Sequence, residues 1–584
     1  MRLALSSLLL LVSCTDPTPL ILPTPPGSVA PPVSRAIQGG NLAMARDGRT
    51  AIVTDADTAQ IFLVDTISGL VRAQVRLPGD AVPFRAVADH TRAYISLRGV
   101  GQIAVVDIAT GALEATWNTC REPRGLALHD GMLRVACSTG TLLGLETVLG
   151  LERERLWIGK DLRDIVSTAD GLWVSRWRTA DVFRVVDGAV VQHDTSPDIT
   201  QDLRGRGALP YVASVGWRLF PTDDGVGLIH QRTLAIPLDT LNPDPTSQAY
   251  YTDPPPPPGY EAPTDDCSAV TVSAVTFFAA DAPPDPSGVL NAPLPVDALV
   301  TPTGLRVAAA ARIPDQYANG VREFDWAQLS EACATDRVPY TFRERVTGLA
   351  VNIAGVDIRV THTPLRLYIG TDPVDLDPGI PDPSLDLFHD ASNTAGLSCA
   401  SCHPEGNDDG VVWQFSTGPL RTQNVAVGLT DTEPFHWAAD MWTFDDLMER
   451  VYVERMGGSP DVFTEETSAA MLAWMDLQRP DRVDPSGDRW QVAEGALLFD
   501  AAGCAGCHRG TRYTDGDSYD VGTGRTLQTP SLVGVGGRGP YLHNGCAPEL
   551  ADRFGPCGGG DLHGQTSELT PDEVDSLVAF LETL

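Results

Sequence analysis

The sequence predicts a multidomain chain, an all-β seven-bladed propeller followed by two small all-α modules, on three observations. Apolar strand pairs recur about every 40 residues through the first two thirds, a Cys-x-x-Cys-His motif occurs twice in the last third, and an apolar helical stretch closes each segment that carries it. With 584 residues the chain is long enough for several cores, and its 55 Gly and 46 Pro suit many short strands joined by turns. Asp and Glu number 76 against 42 Lys and Arg, a net charge of −34. No basic stripe remains to neutralise phosphates, so nucleic-acid binding is excluded and a charged partner is expected to be basic.

Residues 1–13 combine Arg2 with the apolar run LALSSLLLLV, too short to span a bilayer, and are expected to be a secretory signal. The run ends in Leu11-Val12-Ser13-Cys14, which resembles the lipobox of bacterial lipoproteins and implies lipidation of Cys14 and anchoring to a membrane without a spanning helix. Residues 14–35 are proline-rich and are expected to form a semi-rigid tether. The expected location is the bacterial periplasm or cell surface. Thr15, where an Asp holds some lipoproteins in the inner membrane, favours the outer one.

Residues 36–375 carry the repeat. Its clearest copies are AIVTDADTAQIFLVDTISG, AYISLRGVGQIAVVDIATG, LRVACSTGTLLGLETVLG and LWVSRWRTADVFRVVDG, with Val53, Ile95, Val135 and Val174 at matching positions and steps of 42, 40 and 39 residues. Stretched copies follow near His230, Val307 and Val360. Short alternating strands at this period make propeller blades, and the motif IAVVDIATGAL resembles the YVTN-type seven-bladed repeats, so seven four-stranded blades are expected. The stretch with Pro254–Pro258 and Cys267 breaks the period as a long loop. His90, His129, His230 and His362 show no metal-ligand spacing and are taken as structural.

Two modules are expected at 380–482 and 483–584. Cys399-Ala400-Ser401-Cys402-His403 and Cys504-Ala505-Gly506-Cys507-His508 both match the attachment motif of haem c: two thiols add to the two vinyl groups of one porphyrin edge, and the adjacent imidazole reaches the iron. Zinc is the competing reading, but each motif offers three ligands with no fourth cysteine nearby. The expected cofactors are therefore two covalently attached haem c groups. Aligned on the motifs, a Pro-aromatic-His signal follows after 33 residues at His436 and after 35 at His543, and a further 20 residues lead to Met456 and His563. Thioether and imidazole are the usual second axial ligands, so the expected pairs are His403/Met456 and His508/His563. Met441 and Met448 are alternatives to Met456, and His436 and His543 alternatives as distal ligands.

The stretches LSCASCHPEGNDDG, LLFDAAGCAGCHRG, TPSLVGVGGRGPYLHNG and SELTPDEVDSLVAFLETL resemble the di-haem cytochrome c peroxidase and MauG superfamily. That resemblance implies two helical cytochrome modules, one an electron donor and the other a site where peroxide meets an open iron. The chain departs from the pattern by placing its methionine in the first module and its histidine in the second. The family's glutamate acid/base falls close to Met456, which makes Glu454 the candidate catalytic residue. Setting aside Cys14 and the four haem cysteines leaves six, and sequence proximity suggests disulfides Cys120–Cys137, Cys267–Cys333 and Cys546–Cys557. The minimum expected function is electron transfer between two haems of different ligation, with a small basic cytochrome or other carrier as partner. Reduction of hydrogen peroxide is the alternative, and a propeller that binds a partner, with the cytochromes as its redox outlet, is the third.

Overall fold

The computed structural model describes residues 32–202, 208–237, 269–312, 320–334, 344–391, 397–462 and 464–584. The leader, Cys14, most of the tether and Cys267 lie outside the described residues. No helix among the described residues is long and apolar enough to cross a membrane.

The repeat folds into antiparallel sheets set around an axis. The first four are plain four-stranded meanders, beginning with Leu42–Met44, Thr50–Asp55, Gln60–Asp65 and Leu70–Arg76. Val53, Ile95, Val135 and Val174 all lie in the second strand of a sheet and are fully buried, because a blade's two inner strands are covered on both faces by neighbouring blades. The ring closes where Leu42, Val53 and Val64 pack on Ile358, Val360 and Leu367 of the last sheet.

The expectation of seven four-stranded blades is corrected to six sheets of four or more strands. The sheet Pro295–Thr301, Gly304–Ala309 and Val321–Asp325 has only three among the described residues. After Asp325 the chain makes a short 3-10 turn, and Cys333–Ala334 then pairs parallel with Val289–Leu290 of the preceding sheet. Among the described residues that neighbouring sheet thereby reaches seven strands. Two strands of that sheet, Ala208–Thr222 and Gly225–Leu234, are unusually long, and their far ends rise beyond the ring towards the helical region.

The helical region starts with α1 (Pro383–His389) and the short α2 (Cys399–Cys402), followed by α3 (Phe444–Leu447), which widens into a π-helical stretch, Met448–Arg455. α4 (Glu465–Asp476) closes the first half, and α5 (Arg489–Ala501) and α6 (Pro571–Leu581) bracket the second and pack on each other. Thr464, Asp488 and Thr570 cap α4, α5 and α6 by accepting first-turn backbone N–H groups, which fixes where each starts. Leu385, Phe388, Phe444, Met448 and Trp474 share one core with Trp177, Trp217 and Val307 of the propeller, so the first half of the helical region and the propeller are a single packed body.

Candidate haem-binding site

One continuous cavity of about 550 Å³ runs through the helical region and is lined by both Cys-x-x-Cys-His motifs together with Met456 and His563. Cys399, Cys402, Cys504 and Cys507 are all free thiols, each held by a short helical turn that sets its two sulfurs one turn apart. Burial pushes the Cys399 thiol up to about 12 and raises the other three, so they stand as neutral thiols. Cys120 pairs with Cys137 and Cys546 with Cys557. Cys333 is disulfide-bonded, while Cys267 lies outside the described residues.

The histidines are oriented as iron ligands require. Nδ1 of His403 meets the carbonyl of Asn407 at 3.1 Å, that of His508 the carbonyl of Tyr513 at 3.0 Å, and that of His563 the carbonyl of Gly558 at 3.2 Å. A backbone carbonyl on Nδ1 selects the tautomer that leaves the Nε2 lone pair free for a metal. The His508 and His563 ring centroids lie 6.4 Å apart. That is the separation produced by two imidazoles on opposite sides of one metal at about 2 Å per bond. Burial, with Arg553 and His508 nearby, lowers His563 to about 3, keeping it neutral.

In the first half, Met456 caps the π-helical stretch and is buried among Leu397, Trp413, Cys399 and Cys402. Met441 and Met448 also line the cavity but belong to the core shared with the propeller. Glu454 is exposed to solvent and does not line the cavity, whereas Arg455 and Met456 do. Glu454 lies in the π-helical stretch with its side chain on the outer face. His436 lines the cavity with its Nδ1 on Asp440 Oδ1 at 2.8 Å, and His543 stands edge-on to Trp437 at 6.3 Å.

The residues present fit a porphyrin. Arg421 Nε, Arg538 Nε and Thr523 Oγ1 are buried donors without a protein partner, on residues lining the cavity, where the propionates of a haem would answer them. Among the described residues no group of three or more His, Cys, Asp or Glu could hold a bare metal ion, which leaves the zinc reading without a site.

Sequence reasoning missed what holds the first motif in place. Glu405, Asp408 and Asp481 of the helical region enter a buried network with Arg98, Arg124, Arg163 and Arg178 of the propeller. Gln231 of the seven-stranded sheet donates to the Ser401 carbonyl at 2.9 Å, and Val270, just before the Thr271–Ala279 strand of that sheet, lines the cavity. Arg85, Arg124 and Arg163 recur at a step of 39 residues, near the start of the first strand of three successive sheets, and that recurrence was the available signal.

The chain is similar to several curated relatives. Hydrazine synthase subunit gamma of Kuenenia stuttgartiensis is 24% identical over 265 residues, 34% of this chain and 75% of the relative. Methylamine utilization protein MauG of Methylorubrum extorquens is 29% identical over 270 residues, 34% of this chain and 76% of the relative. Cytochrome-c peroxidase IdrP1 of Denitromonas iodatirespirans is 35% identical over 103 residues, 16% of this chain and 27% of the relative. Residues 492–584 match the family model described as cytochrome c, so the C-terminal part of this chain is a cytochrome c domain, with haem c held covalently for redox chemistry.

Proposed function

We propose that the chain is an exported, lipid-anchored di-haem protein that passes electrons between two haem c groups of different axial ligation, held by His403/Met456 and His508/His563. Haem c supplies one reversible electron per iron, and a methionine ligand raises its potential relative to a histidine. The observation that carries the reading is the ligand geometry: His563 faces His508 across a metal-sized gap, Met456 is buried beside the first pair of thiols, and Glu454, the candidate acid/base, stands outside the cavity. A fully ligated first site leaves peroxide nowhere to bind, and an exposed glutamate is poorly placed to move its proton. Trp437 lines the cavity, donates to the Arg421 carbonyl at 2.7 Å and abuts His543. It thereby ties the first half of the region to the second.

The surface beside the second motif suits a basic carrier, such as a small cytochrome. Trp490 and Leu497 are 69% and 72% exposed on one face of α5, and Leu562, which lines the cavity, is 74% exposed. Residues 483–584 hold 15 Asp and Glu against 6 Arg, and Asp515 and Asp517 add to burial in raising the Cys507 thiol, which places them beside it. Apolar contact on a module of net negative charge gives a cationic partner both grip and steering.

A second reading, peroxide reduction, is favoured by the likeness to a protein named as a cytochrome-c peroxidase. Peroxide turnover by half-reduced holoprotein separates the two. Electron transfer predicts slow or absent turnover that increases when Met456→Gly opens the first site, and fast turnover by the wild type selects the peroxidase.

A further inference from the structure

Glu405 lies two residues beyond His403, in the turn that carries the hydrogen bond to that histidine. The turn closes on itself: Asn407, whose carbonyl meets His403 Nδ1, donates through Nδ2 to the Glu405 carbonyl at 3.2 Å. Glu405 itself takes φ +55°, a left-handed conformation that side chains other than glycine rarely adopt without something to hold them. What holds it is the propeller. Its carboxylate accepts from Arg98 Nη1 at 2.7 Å and Arg163 Nη2 at 2.5 Å, both buried, and the Arg163 guanidinium lies 3.9 Å over the Trp177 ring. The far side of the turn is gripped as well. Asp481 N donates to Asn407 Oδ1 at 3.2 Å, and the Asp481 carboxylate takes Arg178 at 2.8 Å and Arg124 at 3.1 Å.

The second motif is a built-in control. There the equivalent turn runs from Arg509 to Arg512, with Arg509, Gly510 and Thr511 exposed and open space beside Gly510. The same hydrogen bond, His508 to a backbone carbonyl, is present at both motifs, but only the first rests on a fixed ionic seat outside its own module.

We propose that Glu405 is a positioning residue through which the propeller sets the strength of the first haem's proximal ligand, independently of the second haem. Arg98 and Arg163 fix Glu405, Glu405 fixes the Asn407 carbonyl, and that carbonyl governs how basic the His403 imidazole is and hence the potential of the iron it holds. The proposal rests on the two-haem reading above. It gives the propeller a role in the redox chemistry beyond that of a scaffold.

The test uses full-length holoprotein, with haems per chain counted first and each haem's potential and low-spin EPR signal then followed in a redox titration. Glu405→Gln is expected to raise the first haem's potential, because losing a negative charge and loosening the carbonyl both disfavour the oxidised iron. The reduced-to-oxidised ratio at fixed poise should rise about tenfold, ~59 mV for one electron. Glu405→Asp keeps the charge but shortens its reach, and should change the EPR signal of the same haem with a smaller change in potential. The second haem should be unaffected in both. Because Glu405→Gln takes the carboxylate partner from buried Arg163, while Arg98 keeps Glu122 and Asp481, the paired variant Glu405→Gln with Arg163→Met provides the same test in a better-balanced interior. Folded variants with an unchanged first haem, or equal shifts at both haems, would overturn the proposal. A wild type with haem only at the second motif would overturn it together with the two-haem reading.

Discussion

Single side chains decide both the ligation and part of the pH response. Met456→Ala should abolish the weak thioether charge-transfer band of the oxidised protein and His563→Ala should leave it, as absorption at the red end will show; the reverse would exchange the ligand assignments. A different carboxylate governs stability. Burial raises Asp57 to about 7, with Asp382 and Asp377 adding to it, against the opposing effect of Arg35. A carboxyl whose folded value exceeds its unfolded one contributes fully below the unfolded value near 4 and loses that contribution as pH climbs through about 7. A shift of roughly three units corresponds to about 4 kcal/mol. Thermal melts should therefore show the wild type losing stability relative to Asp57→Asn between pH 4 and 7, and parallel curves would show that Asp57 is not held this way. The two Cys-x-x-Cys-His motifs were legible in the sequence because covalent attachment dictates a fixed spacing. Glu405 and Asp481 were not, since their partners lie about 240 to 380 residues away.

At the level of elements, the repeat period placed the inner strands well, because a buried strand must be apolar at every turn of the repeat. The three-stranded sheet escaped the reading because the stretch after Asp325 leaves the period and Cys333–Ala334 pairs with the preceding sheet, which no local pattern announces. Glu454 escaped for a related reason: counting from a motif assumes a regular helix, and here the helix widens to a π-turn just before Met456. Helix α5 was foreseen as part of a module but not as a surface with exposed aromatic and aliphatic side chains. Trp490→Ala and Leu497→Ala should leave melting temperature nearly unchanged, within about 0.5 kcal/mol. Stopped-flow reduction by a basic single-haem cytochrome should slow about tenfold while reduction by dithionite does not. Equal rates with the cytochrome would remove α5 from the docking surface.

Across the whole molecule, propeller and helical region are joined by a shared core and by buried ion pairs rather than by a linker alone. Removing one partner from such a network costs roughly 3–5 kcal/mol, because it leaves a charge uncompensated away from water. Arg178 reaches Asp408 and Asp481 of the helical region as well as Asp161 of the propeller. Arg178→Ala should lower the calorimetric melting temperature of propeller and helical region together, and loss confined to the helical region would show that the two unfold separately.

The central claim, two covalently held haems of different ligation that exchange electrons, is tested most directly by absorption and EPR spectra of the resting and half-reduced holoprotein. The account predicts two low-spin irons per chain, a thioether band from the first and none from the second, and reduction in two separate one-electron steps. A single haem per chain, or a high-spin iron with an open site in the half-reduced protein, would contradict it.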